Sequence, residues 1–166
     1  MSRHLRLLGV LEAAEVDLMP HEVNNMVFIL ESLGIDLGYD LSLFSTPSML
    51  GVESPEVAHD LWLLYKMGYL ESLSPVRIRC HDSIPIEPGI KSIIGKLIEM
   101  RSEMPRIAVY LYLASRGEDV RVVLERAYGM SELDVNILTS ALARLSAIAH
   151  SVPGTLTSHG DARHRR

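Results

Sequence analysis

The chain holds a single cysteine, Cys80, which excludes an internal disulfide framework and any zinc site built from several thiolates. A cytoplasmic location is the expectation that goes with it. Glutamine is absent, asparagine occurs three times, and there are only three lysines against thirteen arginines. Depletion of thermolabile amides is a feature shared with some heat-adapted proteins. Long apolar runs are missing too. Stretches such as Met26-Val27-Phe28-Ile29-Leu30 and Val109-Tyr110-Leu111-Tyr112-Leu113-Ala114 fall far short of the roughly 18 to 20 residues a membrane span needs, so no membrane association is expected. At the N-terminus, Arg3 and Arg6 are followed at once by Glu12, Glu15 and Asp17, which does not read as a signal peptide. Dinucleotide-binding, phosphate-loop, nucleophile-elbow and zinc-protease motifs are all absent. No enzyme activity and no cofactor are expected on these grounds.

What is present is the composition of an ordinary globular domain: 166 residues, 48% apolar and 22% charged. The net charge of -5 is unevenly spread. Residues 1–87 carry five Lys/Arg and thirteen Asp/Glu, a balance of -8, while residues 88–166 carry eleven and eight, a balance of +3. An acidic first half does not draw in phosphate backbones over distance.

Helical periodicity dominates. Leu5, Leu8, Leu11 and Val16 predict a first helix from Arg3 to Val16, broken by Asp17-Leu18-Met19-Pro20. Val23, Met26, Val27, Leu30 and Leu33 predict a second, opened by Pro20 and stopped by Gly34. Leu41 to Phe44 reads as a short strand or extended segment, and Thr46-Pro47-Ser48 with Gly51 as a loop. Ser54-Pro55 starts a third helix through Val57, Leu61, Leu64, Tyr65 and Met67, ended by Gly68. After an apolar link at Tyr69 to Leu73, Val76-Arg77-Ile78-Arg79-Cys80 alternates with the strand period. His81-Asp82-Ser83 is the expected turn and Ile84-Pro85-Ile86 the expected return strand. Four more helices come after it: through Ile90 to Met100, from Pro105 to about Gly117, from Glu118 to Tyr128, and from Ser131 to Ile148. The last opens on the capping-box pattern Ser131-Glu132-Leu133-Asp134.

The expected fold class is therefore mainly α. Residues 1–87 form a winged-helix-like module of three helices plus a small β-hairpin, a relative of the helix-turn-helix plan. Residues 88–149 form a helical extension packing on it, and residues 150–166, ending Arg163-His164-Arg165-Arg166, a disordered basic tail.

Several stretches carry a resemblance. Met26-Val27-Phe28-Ile29-Leu30-Glu31, Leu37-Gly38-Tyr39-Asp40-Leu41-Ser42-Leu43 and Ser54-Pro55-Glu56-Val57-Ala58-His59-Asp60-Leu61, with Gly68-Tyr69-Leu70-Glu71 behind them, resemble the YwgA-like proteins of archaea and bacteria. The resemblance spans about residues 5–149. Departures from the family pattern fall at His21-Glu22-Val23-Asn24 and at Thr46 to Glu53. What the resemblance implies is the winged-helix-like fold; it adds little chemistry.

Candidate site residues are few. A DNA-reading third helix would place Ser54 to Met67 in the major groove. That helix carries Glu56 and Asp60, follows Glu53, and has one basic residue, Lys66. Its charges argue against phosphate contact, so Glu56, His59 and Asp60 are candidate contacts to a protein partner instead. Arg77 and Arg79 share a strand face and are the candidate nucleic-acid contacts. The favoured reading of that pair is a solvated face balanced by acids such as Asp82. Cys80-His81 cannot cooperate directly, because neighbours on a strand point to opposite faces, and Cys80 is expected to be a small buried apolar residue. His59-Asp60 does not have the spacing of a metal site, and no metal is expected. Trp62, Tyr110 and Tyr112 are expected in core or rim packing. The function expected is a protein-interaction or regulatory module, with a protein partner or homodimerisation through the C-terminal helices. The alternative is a DNA-binding regulator using Arg77, Arg79 and the basic tail.

Overall fold

The computed structural model describes residues 1–48, 50–80 and 84–152. Among them the chain is mainly helical, with seven α-helices and two small antiparallel hairpins. Helix α1 spans Arg3–Ala14 and α2 Pro20–Ser32. A 3-10 turn at Leu41–Leu43 leads into β1 (Ser45–Ser48) and β2 (Gly51–Glu53). Next come α3 (Pro55–Lys66), β3 (Leu70–Leu73) and β4 (Val76–Ile78). The rest is α4 (Pro88–Glu99), α5 (Met104–Ser115), α6 (Val120–Tyr128) and α7 (Glu132–His150).

Helix ends obey local chemistry. Glu15 takes the left-handed conformation at φ 58° and returns its N–H to the Glu12 carbonyl, so α1 closes two residues short of the expected Val16. Pro20 opens α2, and the Glu22 carboxylate accepts the Met19 N–H at 2.9 Å. Ser54 caps α3 through Glu56 N–H, and Glu87 caps α4 through Ile90 N–H. The capping box expected at α7 is formed: Asp134 N–H donates to Ser131 Oγ, and Ser131 N–H donates to Asp134 Oδ2, both at 3.1 Å.

Helix α2 is the hub of the fold. Every residue from Val23 to Leu30 is buried, which explains a segment apolar on nearly all sides. Helix α5 lies across α2 and β2, bringing Tyr112 to 6.2 Å from the Phe28 ring. Helix α1 packs on α3 and α4, α4 on α7, and α6 on α5 and α7. One apolar cluster runs from Leu7 to Ala149, so residues on both sides of position 87 share a core.

Two polar side chains inside α2 hold the β1–β2 hairpin in place. Asn25 is fully buried; its Oδ1 accepts Val52 N–H at 2.9 Å and its Nδ2 donates to the Leu50 carbonyl at 2.8 Å. Asn24 accepts Ser54 N–H at 2.9 Å. The segment expected as a loop at 46–51 is therefore a hairpin clipped to α2 by side-chain amides. Gly51 sits at φ 111°, and a Cβ there would meet Asn25 Oδ1 at 2.0 Å, so only glycine fits.

The segment expected as a strand or extended segment at Leu41 to Phe44 is instead the 3-10 turn, because the Asp40 carboxylate accepts Ser42 N–H at 2.9 Å and curls the chain. The second hairpin is displaced by one strand from expectation. β4 pairs with β3, through Leu70↔Ile78 and Leu73↔Val76, so the expected apolar link is its partner. Ile84 to Ile86 form no strand, and the expected turn at His81-Asp82-Ser83 lies outside the described residues. Leu18 also forms a bridge to Val76, with Val76 N–H donating to the Leu18 carbonyl at 2.6 Å. At the other end, His150 belongs to α7, and the remainder of the expected basic tail from residue 153 lies outside the described residues.

Candidate functional site

The outer surface of α3 and the adjoining β3–β4 hairpin hold the residues singled out by sequence. The buried stripe of α3 is Val57, Asp60, Leu61 and Leu64, at i, i+3, i+4 and i+7. A carboxylate in that stripe must find partners inside the fold. Asp60 is 2% exposed; Arg3 of α1 reaches it through Nε at 2.7 Å and Nη2 at 3.2 Å, a two-pronged ion pair. The Tyr39 hydroxyl donates to Asp60 Oδ2 at 2.7 Å. Arg3 also pairs with Glu56, and its guanidinium lies 4.9 Å from the Tyr39 ring centroid. These partners raise the pKa of Arg3, the hydrogen bond to Asp60 contributing most. Burial, then the bond to Asp60, raises that of Tyr39.

Two of the three expected partner contacts are thus engaged within the protein. Asp60 is part of the interior, and Glu56 is held by Arg3 one turn earlier on the same side of α3. Only His59 faces solvent. With Asp60 buried and Glu56 half-buried, the open face of α3 consists of Pro55, Ala58, His59, Trp62, Tyr65 and Lys66, continued by Met67 and Tyr69. Trp62 is 48% exposed, stacked on His59 at 6.3 Å and approached by Lys66 Nζ at 5.7 Å. Tyr65 and Met67 are 43% and 51% exposed. Trp62 is therefore a surface aromatic rather than a core one, whereas Tyr110 and Tyr112 are half-buried against the core.

Both candidate nucleic-acid contacts have intramolecular partners. Arg77 donates to Asp17 Oδ2 from Nε at 2.9 Å and Nη2 at 2.8 Å, tying β4 to the α1–α2 connection and lowering the Asp17 pKa. Arg79 Nε donates to the Gly68 carbonyl at 3.0 Å, just past the end of α3. The acid that balances Arg77 is Asp17, sixty residues away in sequence; Asp82 lies outside the described residues. Cys80 is exposed, contrary to the buried apolar residue expected, because it lies beyond the last paired residue of β4.

Sequence reasoning missed the loop that positions Tyr39. Half-buried Glu31, in the last turn of α2, accepts Tyr39 N–H at 2.6 Å and Leu37 N–H at 3.2 Å with Oε2. Burial outweighs these donors and pushes its pKa up to about 7. Gly38, at φ 93°, lets the loop pass over α1, where a Cβ would meet Arg6 Nη1 at 3.1 Å and Arg3 Cγ at 3.3 Å. The visible signal was Glu31 trailed closely by Gly34 and Gly38, glycines that let a chain fold back on a helix end.

A separate cavity of about 480 Å³ lies between the α4–α5 turn, the end of α6 and α7. Its lining holds two acids, Glu103 and Asp134, and two arginines, Arg106 and Arg144, so it carries no excess of either charge. Among the described residues no group of three or more His, Cys, Asp or Glu is placed to hold a metal, and no helix is long and apolar enough to cross a membrane. Comparison with protein-family models, with curated proteins and with solved structures finds no match.

Proposed function

We propose that the protein is an interaction or regulatory module that binds a protein partner through the outer face of α3. The observation that carries this reading is the exposed run His59, Trp62, Tyr65, Lys66, Met67 and Tyr69 along α3 and the turn after it, where Asp60 is buried and Glu56 is paired with Arg3. Tryptophan and tyrosine dominate binding energy at protein interfaces because they bury large rigid areas with few rotatable bonds. Lys66 and His59 at the edge of the aromatic strip favour a partner that offers an apolar groove rimmed by carboxylates. The scaffold in this reading is winged-helix-like. The α1, α2, α3 and β3–β4 order supports it, as does the Leu18–Val76 bridge that lays an extended segment beside the hairpin. The resemblance to YwgA-like proteins belongs to the same proposal.

DNA binding through the hairpin is the second reading, and one observation favours it: Arg3 pairs with both α3 carboxylates and offsets part of the charge that would repel phosphate. Against it, a base-reading helix relies on arginine, lysine, asparagine or glutamine, and this face offers Lys66 alone. Affinity purification of the full chain from its native source, run beside Trp62→Ala and the Arg77→Ala/Arg79→Ala double variant, separates the two. The proposal expects a protein retained by wild type and by the arginine variant but lost with Trp62→Ala. A duplex shift at low salt that disappears in the arginine variant, with no protein lost on Trp62→Ala, overturns it.

A further inference from the structure

The most exposed large apolar residues in the described structure are Leu133 and Ile137, at 67% and 58%, both on α7. Helix α7 already buries Val135, Leu138, Leu142, Leu145 and Ala149 against the body of the protein, so these two belong to a second face. Along that face Leu133, Ile137, Ser140 and Arg144 succeed one another at spacings of four, three and four. This is the seam spacing of a helix that pairs with another helix. Asn136 beside the seam is engaged by Arg121 at 3.2 Å, and Ile137 and Arg144 also line the edge of the cavity that α7 shares with α5 and α6.

We propose that α7 pairs with α7 of a second copy of this chain, antiparallel across a two-fold axis between Ile137 and Ser140. The seam is complementary to itself only in that direction. Antiparallel pairing sets Ile137 of one copy against Ser140 of the other, a large side chain over a small one. It sets Leu133 against Arg144, whose aliphatic stem covers the leucine while its guanidinium reaches the acidic first turn at Glu132. That turn is acidic and Arg144 lies toward the opposite end of the helix, so each end of the seam brings opposite charges together, in the sense also favoured by the helix dipoles. A parallel arrangement would stack Arg144 on Arg144 and Glu132 on Glu132. A two-fold contact also needs one patch to serve both partners, which this face does. The surface is separate from the α3 face, so its test stands independently of any partner bound there.

Sedimentation of the full chain at tens of micromolar is expected to give twice the 18.5 kDa chain mass, and Ile137→Arg to give the single mass with unchanged helix content by circular dichroism. The register is read by disulfide trapping in a Cys80→Ser background. Ile137→Cys mixed with Ser140→Cys is expected to cross-link, and either alone is not. A wild-type chain that sediments at the single mass, a dimer untouched by Ile137→Arg, or a mixture that fails to cross-link overturns the proposal.

Discussion

Arg3 is the residue on which the character of the site turns. It gathers Asp60, Glu56 and the Tyr39 ring, and by doing so engages both carboxylates of α3, Asp60 in the interior and Glu56 half-buried at its edge. Its side chain is 29% exposed whereas that of Asp60 is 3% exposed, so the pair is asymmetric. Arg3→Ala strands a buried carboxylate with only the Tyr39 hydroxyl for company, and is expected to cost on the order of 3 to 4 kcal/mol. Asp60→Ala leaves Arg3 able to reach water and strands chiefly the Tyr39 hydroxyl, at about 1 to 3 kcal/mol. Urea denaturation of the two variants checks the order; equal losses, or a larger loss for Asp60→Ala, contradict it. The placement of Asp60 was legible in principle, since it interrupts the Val57, Leu61, Leu64 stripe at a buried position. Its partner was not, because Arg3 is 57 positions away and nothing local announces a long-range ion pair.

Among the elements, the helices were legible and the hairpins were not. Apolar periodicity and caps are properties of a few neighbouring residues, and Pro20, Ser54-Pro55 and Ser131 to Asp134 mark their helix starts by that local chemistry. Strand pairing depends on what lies alongside. Asn25 makes a hairpin of Ser45 to Glu53 from 27 positions away, and Leu70 to Leu73, too short to show its period, becomes a strand by pairing with Val76 to Ile78. The loop over α1 depends in turn on Glu31, which holds the Leu37 and Tyr39 amides and so aims Tyr39 at Asp60. A carboxyl raised from 4.5 to about 7 in the fold binds more protons there than in the unfolded chain between those values. The stability it contributes is therefore fully present below about pH 4.5 and is lost as pH rises through 7. Unfolding free energy measured between pH 4.5 and 7.5 is expected to fall by on the order of 3 kcal/mol from this group, and Glu31→Gln to remove that component of the slope. An unchanged slope in the variant contradicts the assignment.

At the scale of the whole molecule the two sides of position 87 fold together. Ile107 and Ala108 of α5 are fully buried, α5 covers α2, and Arg101 binds Glu22 through two bonds of 2.8 Å. A fragment of residues 1–87 would expose the α2 core, and is expected to lack a cooperative thermal transition; a sharp transition in that fragment would show a self-sufficient module. Net charge over that stretch does not say where the charges sit. The balance of -8 describes composition, but the ion pairs with Arg3 and Arg77 decide which charges α3 and the hairpin present to a partner. What remains open on α3 is aromatic with a cationic edge, and this is the central claim. A photo-activated cross-linking residue placed at Tyr65 of the full chain, with a second chain carrying it at Arg77, tests it most directly. Irradiation in the native source is expected to give one discrete protein adduct at position 65 that is lost when Trp62→Ala is added. Nucleic acid captured at position 77, with no protein adduct at position 65, would contradict the account.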